Sequence, residues 1–305
     1  MDAFPAETVS SGMVALVGPP NAGKSTLLNT MLGQKISIVT PKPQTTRNRI
    51  LGVLNGPDYQ IVFLDTPGLH QSSGLLNREM VKIAMDSLKG MDAVLFILDA
   101  SRVLPEAREQ EQRRQYLDYF NEIDCPAVLL LNKVDLIDRR QLLPLIDSYA
   151  RLYPFRAIMP VSALRGDGLP EIIDQLLPVL PRGVRYFPED SLTDASERFL
   201  AAEIIREKVF LLTGQEIPYS SAVLIDSFKE DDERNRVTIH ATIYLERPSQ
   251  KPIVIGTGGA KLKQIGIAAR KDIEELIGRH VLLKLWIKIK KHWTRDERFL
   301  KELGF

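Results

Sequence analysis

A chain of 305 residues with a formal net charge of +1 and an apolar fraction of 44% fits a globular protein of about two domains, and its overall charge names no partner. The single cysteine, Cys125, excludes an internal disulfide and reads as a structural thiol in a reducing compartment; no apolar run approaches the ~20 residues of a membrane span. Residues 1–12 carry neither the basic nor the apolar region of a secretory signal, so the expected location is the cytoplasm.

In chain order, the apolar run at 13–17 predicts a buried strand, and residues 25–32 predict a helix stopped by Gly33. Between them lies Gly18-Pro19-Pro20-Asn21-Ala22-Gly23-Lys24-Ser25, the pattern G-x-x-x-x-G-K-S of a phosphate-binding loop, with Thr26 next. Its glycines let backbone N–H groups and a helix N-terminus surround an anion. Lys24 can reach β- and γ-phosphates, and the Ser25 hydroxyl can ligate Mg²⁺. Residues 35–47, with Pro41 and Pro43, read as an exposed loop. A threonine hydroxyl there could complete the Mg²⁺ shell only when a γ-phosphate is present, which would make the loop a switch; of Thr45 and Thr46, Thr46 is preferred.

Strands at 50–54 and 59–64, joined by Asn55-Gly56-Pro57-Asp58, predict a hairpin. The second runs into Asp65-Thr66-Pro67-Gly68, where Asp65 would serve Mg²⁺ and the N–H of Gly68 could register a γ-phosphate. A helix at 77–89, a buried strand at 93–99 and a charged helix at 105–120 follow. The strand 126–131 ends in Asn132-Lys133-Val134-Asp135. The Asp135 carboxylate can accept both the N1–H and the exocyclic amine of guanine, donors that adenine does not place there. The Lys133 stem can lie over the nucleotide, while Asn132 can tie loops together. A strand at 157–161 leads to Ser162-Ala163-Leu164, a turn able to offer a backbone N–H to guanine O6, and Gly168-Leu169-Pro170 opens a helix that runs to Leu180.

These motifs, with Gln44-Thr45-Thr46-Arg47, Asn21 in the phosphate loop and Leu69 after D-T-P-G, resemble the bacterial Era branch of the P-loop GTPases. The resemblance implies GTP and GDP as ligands, with Lys24, Thr46 and Gly68 nearest the reaction and Ser25, Thr46 and Asp65 around Mg²⁺. Nucleotide contacts would come from Gly18, Asn21, Ala22, Gly23, Lys24, Ser25 and Thr26, from Asp65, Thr66, Pro67 and Gly68, from Asn132, Lys133 and Asp135, and from Ser162, Ala163 and Leu164. Leu69 stands where many GTPases carry a catalytic glutamine, so slow intrinsic hydrolysis is expected. Asn21 is open between two roles, a K⁺ ligand that substitutes for an arginine finger and a plain turn residue.

In the second half, Pro and Gly punctuate residues 182–194, a predicted linker, and Thr193-Asp194 can cap a helix over 195–212. Strands at 221–228 and 237–245 flank a polar turn, and the alternation in the second predicts a sheet with one wet face. Ile255-Gly256-Thr257-Gly258-Gly259 then opens a helix, the I-G-x-x-G mark of a KH domain. Gly256, Thr257, Gly258 and Gly259 would press on about four nucleotides, with Lys261 and Lys263 on phosphates. The excess of Lys and Arg over Asp and Glu from 251 to 291 fits a polyanion. In a strand at 281–289, Leu283, Leu285, Ile287 and Ile289 should face the core, and Lys284, Trp286 and Lys288 the other side. Lys288 is a candidate RNA contact. Trp286 either stacks on a base or packs under the chain end, and packing is the favoured expectation. A short helix at 295–303 closes the chain.

The expected fold is therefore an α/β P-loop GTPase domain at 12–181, a mostly parallel sheet with helices on both faces, then a linker at 182–194 and an α+β type II KH domain at 195–305. The resemblance implies a monomeric GTPase switch that binds the 3′ end of 16S rRNA and assists assembly of the 30S ribosomal subunit, with peripheral contact on the inner face of the membrane. The rival from another class is a membrane-associated signalling GTPase with no rRNA role. A tRNA-modifying GTPase would need a cofactor- or cysteine-bearing module that the sequence does not show.

Overall fold

The computed structural model describes residues 8–69, 74–102, 106–214 and 216–305. Residues 1–7 and Pro105, the predicted start of the charged helix, lie outside them. Contacts divide the chain into two compact units, the second formed by Ser37–Thr45, the described part of Ser72–Glu79, and Ala195–Phe305.

The first unit is built on strands β1 (Val9–Val17), β2 (Ile50–Gly56), β3 (Tyr59–Asp65), β4 (Ala93–Asp99), β5 (Ala127–Asn132) and β6 (Ala157–Val161), with the short β7 (Arg182–Gly183). They lie in the order β2-β3-β1-β4-β5-β6, and β7 pairs with the outer start of β1. All neighbours along this path are parallel except β2 and β3, the predicted hairpin. Strands β4 and β5 are continuous apolar runs because both faces are covered. One face packs Val94, Phe96, Leu129 and Leu131 against Ala84 of α2 (Leu75–Asp86) and Tyr116 and Phe120 of α3 (Glu106–Phe120). On the other, α1 (Lys24–Leu32) lies so close that a Cβ on Gly52 of β2 would fall 2.7 Å from Leu28 and Leu32. Helices α4 (Leu142–Ala150) and α5 (Leu169–Leu176) complete the unit.

Residues 182–194 are not a free linker. They form an ordered strap along the β2–β3 hairpin. Arg185 donates to the carbonyls of Tyr59, Gly56 and Pro57 at 2.9–3.1 Å. The Gln60 side chain accepts from the N–H groups of Tyr186 and Phe187 and donates to the Phe187 carbonyl. Val53 N–H donates to Leu192, and the Thr193 hydroxyl donates to the Leu51 carbonyl at 2.6 Å. Thr193 is thus committed to β2, and the cap of the next helix is Ser196, whose hydroxyl accepts from Phe199 N–H.

The second unit contains α6 (Glu197–Leu212), β8 (Ser221–Asp231), β9 (Arg236–Leu245), α7 (Gln250–Ile255), α8 (Ala260–Ile277), β10 (His280–Ile289) and α9 (Glu297–Glu302). The sheet order is β10-β9-β8, with β10 parallel to β9 and β8 antiparallel to it. Its core joins Ile205 and Val209 of α6, Ile239 and Ile243 of β9, and Ile265 and Ile273 of α8. Leu283, Leu285, Ile287 and Ile289 of β10 pack against that core from its edge. Beyond β10, Trp293 is fully buried, donates its indole N–H to the Ser220 carbonyl at 3.0 Å, and meets Phe299 of α9 edge to face. The tryptophan under the chain end is therefore Trp293, and Trp286 is 44% exposed.

Charged residues of α6 are buried as well as its apolar face. Within this unit the segment 37–45 lies on them. Val39 N–H donates to Glu207, Arg206 donates to the Thr45 carbonyl at 2.7 Å, and Lys42 donates to the carbonyls of Phe210 and Thr213 at the helix end. Lys42 thus satisfies orphan C-terminal carbonyls and complements the helix dipole. Lys208 bridges Glu207 and Asp272 of α8. Burial works against its charge, but these hydrogen bonds outweigh burial and hold its pKa above the ordinary value.

Candidate functional site

The phosphate loop joins β1 to α1. Gly23 caps α1 with φ 101°, and a Cβ there would sit 2.1 Å from Asn132 Nδ2; one on Gly18, at φ 144°, would sit 2.2 Å from the Ile97 carbonyl. These glycines serve a positive φ and a close approach of the loop to the ends of β4 and β5. Asn21 also takes a left-handed φ of 62°. Lys24 is buried, and its Nζ donates to the carbonyls of Gly18 and Pro19 at 3.0 and 2.9 Å. Burial pushes its ammonium down to about 8, against the opposing pull of Asp65.

Three oxygens meet beside the loop. Ser25 Oγ is 2.8 Å from Thr46 Oγ1 and donates to Asp65 Oδ2 at 2.6 Å. They belong to α1, the loop before β2 and the end of β3, so the fold brings together residues forty positions apart. Thr45, by contrast, bonds Thr40 and the Lys42 carbonyl. A set of hydroxyl and carboxylate oxygens suits a hard cation such as Mg²⁺, which binds through few protein groups and completes its shell with phosphate and water. Among the described residues no cluster of His, Cys, Asp and Glu could hold a metal by itself.

The D-T-P-G turn is locked to the phosphate loop. Leu69 N–H donates to the Gly18 carbonyl at 3.0 Å, the Thr66 hydroxyl donates to Leu16, and a Cβ on Gly68 would collide with the Pro20 backbone at 2.7 Å. Leu69 is buried in the core with Ala84 and Phe96, so its side chain orients no water.

At the end of β5, the Asn132 amide donates to the Ala22 carbonyl at 2.7 Å and accepts from Ala163 N–H at 2.9 Å, joining three loops. The Ala163 N–H is therefore given to Asn132. Asp135 accepts from the Ser162 hydroxyl at 2.7 Å, and Arg165 stands 3.7 Å from its other oxygen. Lys133, with φ 66°, pairs with Asp99 of β4 at 2.6 Å. The sequence motifs missed Asp99 and Arg165. Asp99, an acid closing an apolar strand as Asp65 does, was the visible signal; Arg165 had none. Leu164 is exposed, Thr26 lies in the first turn of α1, Thr66 and Pro67 are buried in the loop after β3, and Cys125 is held as a thiol because burial pushes its pKa to about 11.

In the second unit, residues 256–259 link α7 to α8 through a single 3-10 turn, so the G-x-x-G joins two helices instead of only opening one. Gly256, Gly258 and Gly259 have φ of 73°, 58° and 80°. A Cβ on Gly256 would press Lys261, but Cβ atoms on Gly258 and Gly259 would meet nothing within 4 Å. A groove of about 410 Å³ runs from Gly259 along Lys263 and Arg270 of α8, with Leu282, Leu283 and Leu285 of β10 opposite. Lys263 and Arg270 are seven apart on one helical face, a periodicity that could have revealed Arg270. Thr257 sits in the turn; Lys288 does not line the groove, whose β10 wall runs from Val281 to Leu285.

Two family models match the chain: a 50S ribosome-binding GTPase at residues 13–133 and a KH domain at 216–294. The GTPase Era of Geobacter metallireducens is 50% identical over 97% of this chain and 97% of its own length. That of Syntrophus aciditrophicus is 48% identical over 97% and 95%. Among solved structures, a point variant of Aquifex aeolicus Era bound to GDP·AlF4⁻ is 41% identical with a TM-score of 0.91, covering 97% of this chain and 99% of that one. A structure of Era with MgGDPNP and nucleotides 1506–1542 of 16S ribosomal RNA is 42% identical with the same TM-score and coverage.

Proposed function

The chain belongs to the Era family of GTPases, and from that premise we propose that it is a GTP-hydrolysing switch whose KH domain holds the 3′ end of 16S rRNA during 30S subunit assembly. The observation that carries this function is the meeting of Ser25, Thr46 and Asp65 beside Lys24 in a chain that also bears a G-x-x-G groove. It is supported by the relative that holds MgGDPNP and 16S rRNA nucleotides together.

In the proposed mechanism the loop amides and Lys24 hold the β- and γ-phosphates. Mg²⁺, held by Ser25 and Thr46 with Asp65 behind, supplies charge neutralisation on those phosphates. The Gly68 N–H faces the γ-phosphate, and Asp135, oriented by Ser162, accepts the two guanine donors. With Leu69 buried, water is placed by backbone and ions, and turnover is slow. Asn21 would hold a K⁺ beside the phosphates, which would supply charge in place of an arginine. Faster hydrolysis in KCl than in NaCl is the expected sign of it; equal rates would return Asn21 to a turn residue. Thr46 answers the γ-phosphate, and its neighbour Thr45 is held by Arg206 of α6, the route by which nucleotide state reaches the KH domain. The protein acts as a cytoplasmic monomer.

The test is fluorescence anisotropy of a single-stranded RNA matching the 16S rRNA 3′ end, with GTP analogue, GDP or no nucleotide at one fixed salt concentration. Sequence-dependent binding that is strongest with the GTP analogue is expected. Weak, sequence-indifferent binding in all three states would remove the rRNA role and leave a GTPase.

A further inference from the structure

Strand β10 has two sides, and the groove is walled by the inner one, with only Leu282 of the outer row at its rim. Leu283 and Leu285 face α8, while the alternation of the strand turns Lys284, Trp286 and Lys288 to the outer face of the sheet. That face carries no helix over these residues: Lys284, Trp286 and Lys288 are all exposed. A large aromatic ring left 44% exposed on a folded sheet is uncommon for a residue type that is highly buried on average. Trp286 leans on the His240 ring of β9, with centroids 5.1 Å apart and planes at 58°. This contact fixes one side of the indole and leaves the other open. Lys229 of β8, paired in register with Thr238, adds a further cation to the same face. Its carboxylate, Asp226, is engaged by the Thr242 hydroxyl at 2.7 Å. Farther along β10 the face ends where Lys290 pairs with Asp296 and covers Phe299.

The chemistry of this face, one indole between two ammonium groups, suits a nucleobase with a phosphate on each side. Every base has a π-face, so stacking is tolerant of sequence, and flanking lysines follow the backbone. The face is continuous with the groove, because Leu282 belongs to the outer row of β10 and also lines the groove rim. A G-x-x-G clamp holds about four nucleotides, so any longer strand must leave the groove. We propose that single-stranded RNA leaving the groove crosses the edge strand β10 and stacks a base on Trp286, with phosphates on Lys284 and Lys288. This second RNA contact rests on the RNA-binding function proposed above.

The test uses the full-length protein, the GTP analogue and two RNAs with the 16S rRNA 3′ sequence, one of about six nucleotides and one of about twenty. Trp286→Leu should weaken binding of the long RNA by about five- to fiftyfold and leave the short RNA within about twofold. Trp286→Phe should recover most of the loss. Long RNA should quench tryptophan emission in the wild type, and the quench should vanish in Trp286→Leu, since Trp293 is buried. Lys284→Gln with Lys288→Gln should lower the slope of log affinity against log salt by roughly one for the long RNA alone. Unchanged long-RNA affinity in Trp286→Leu, with the short RNA still bound, overturns the second contact and spares the groove. Equal weakening of both RNAs also overturns it, because Trp286 would then act by supporting the groove. Wild-type protein that binds neither RNA defeats the RNA-binding function and this face with it. Sedimentation with phosphatidylglycerol vesicles that depends on Trp286, without any RNA effect, would assign the face to lipid and overturn the proposal.

Discussion

The molecule contains two glycine-rich loops that each feed a helix, and they use glycine for different reasons. In the phosphate loop, Gly18 and Gly23 combine positive φ with contacts that admit no Cβ, at 2.2 Å from Ile97 and 2.1 Å from Asn132. In the G-x-x-G, Gly258 and Gly259 have positive φ and open space within 4 Å. The first loop is clamped by its own protein, as a site for one small, rigid anion requires: its amides are preorganised before the ligand arrives. The second is bare, as suits a polymer that must be approached by backbone and released again. The same residue type therefore marks packing in one place and access in the other.

This contrast can be broken by substitution. The largest effect is expected for Gly23→Ala, which strains φ and drives a methyl into Asn132. Nucleotide affinity should fall by roughly a hundredfold in a titration with fluorescent GDP, from a cost of about 2–4 kcal/mol. Loss of less than fivefold would show that the loop is softer than its contacts imply. Gly258→Asp should come next. Aspartate tolerates a left-handed φ, so the fold should hold while the added charge weakens RNA binding by about tenfold or more and leaves GTP hydrolysis unchanged. As its control, Gly278→Asn, at the C-cap of α8 with φ 66° and open space around its Cβ, should keep RNA affinity within about threefold. A smaller, graded effect comes from pH. Lys24 titrates near 8 in the free protein, and bound phosphates favour its charged form. Binding then takes up a proton above pH 8, so affinity should fall toward about tenfold per pH unit from there. Stability moves the other way: the folded pKa lies below the unfolded value of 10.5, so the burial penalty on Lys24 eases as pH rises from 8 toward 10.5. A nucleotide affinity that is flat from pH 7 to 9.5 would remove Lys24 from the phosphate site.

Local rules carried the elements well. Hydrophobic period and turn chemistry placed the sheet strands, and the chemistry of Lys24, Ser25, Asp65 and Asp135 was visible because each closes or opens an element. What stayed hidden was tertiary. The Pro- and Gly-rich residues 182–194 read as a tether, yet Gln60 and Arg185, unremarkable in sequence, bind them to the β2–β3 hairpin. The apolar face of α6 was visible in its spacing, but nothing local showed that Glu207 and Arg206 bond to segment 37–45, over 150 positions away. Trp286, expected under the chain end, is exposed, and Trp293 takes that place, because alternation within a strand gives a side but does not say whether anything covers that side.

The strap also fixes where the chain can be divided. A first domain cut after residue 181 would lose the partners of Val53 N–H and of the Gln60 amide and would bare the outer edge of β2. An unpaired edge strand invites pairing with a second copy and aggregation. One cut after Asp194 would keep that edge closed. The boundary that looks natural from the prolines is thus the one that would make the isolated GTPase domain insoluble, and the workable one lies thirteen residues later, at the N-terminal threshold of α6.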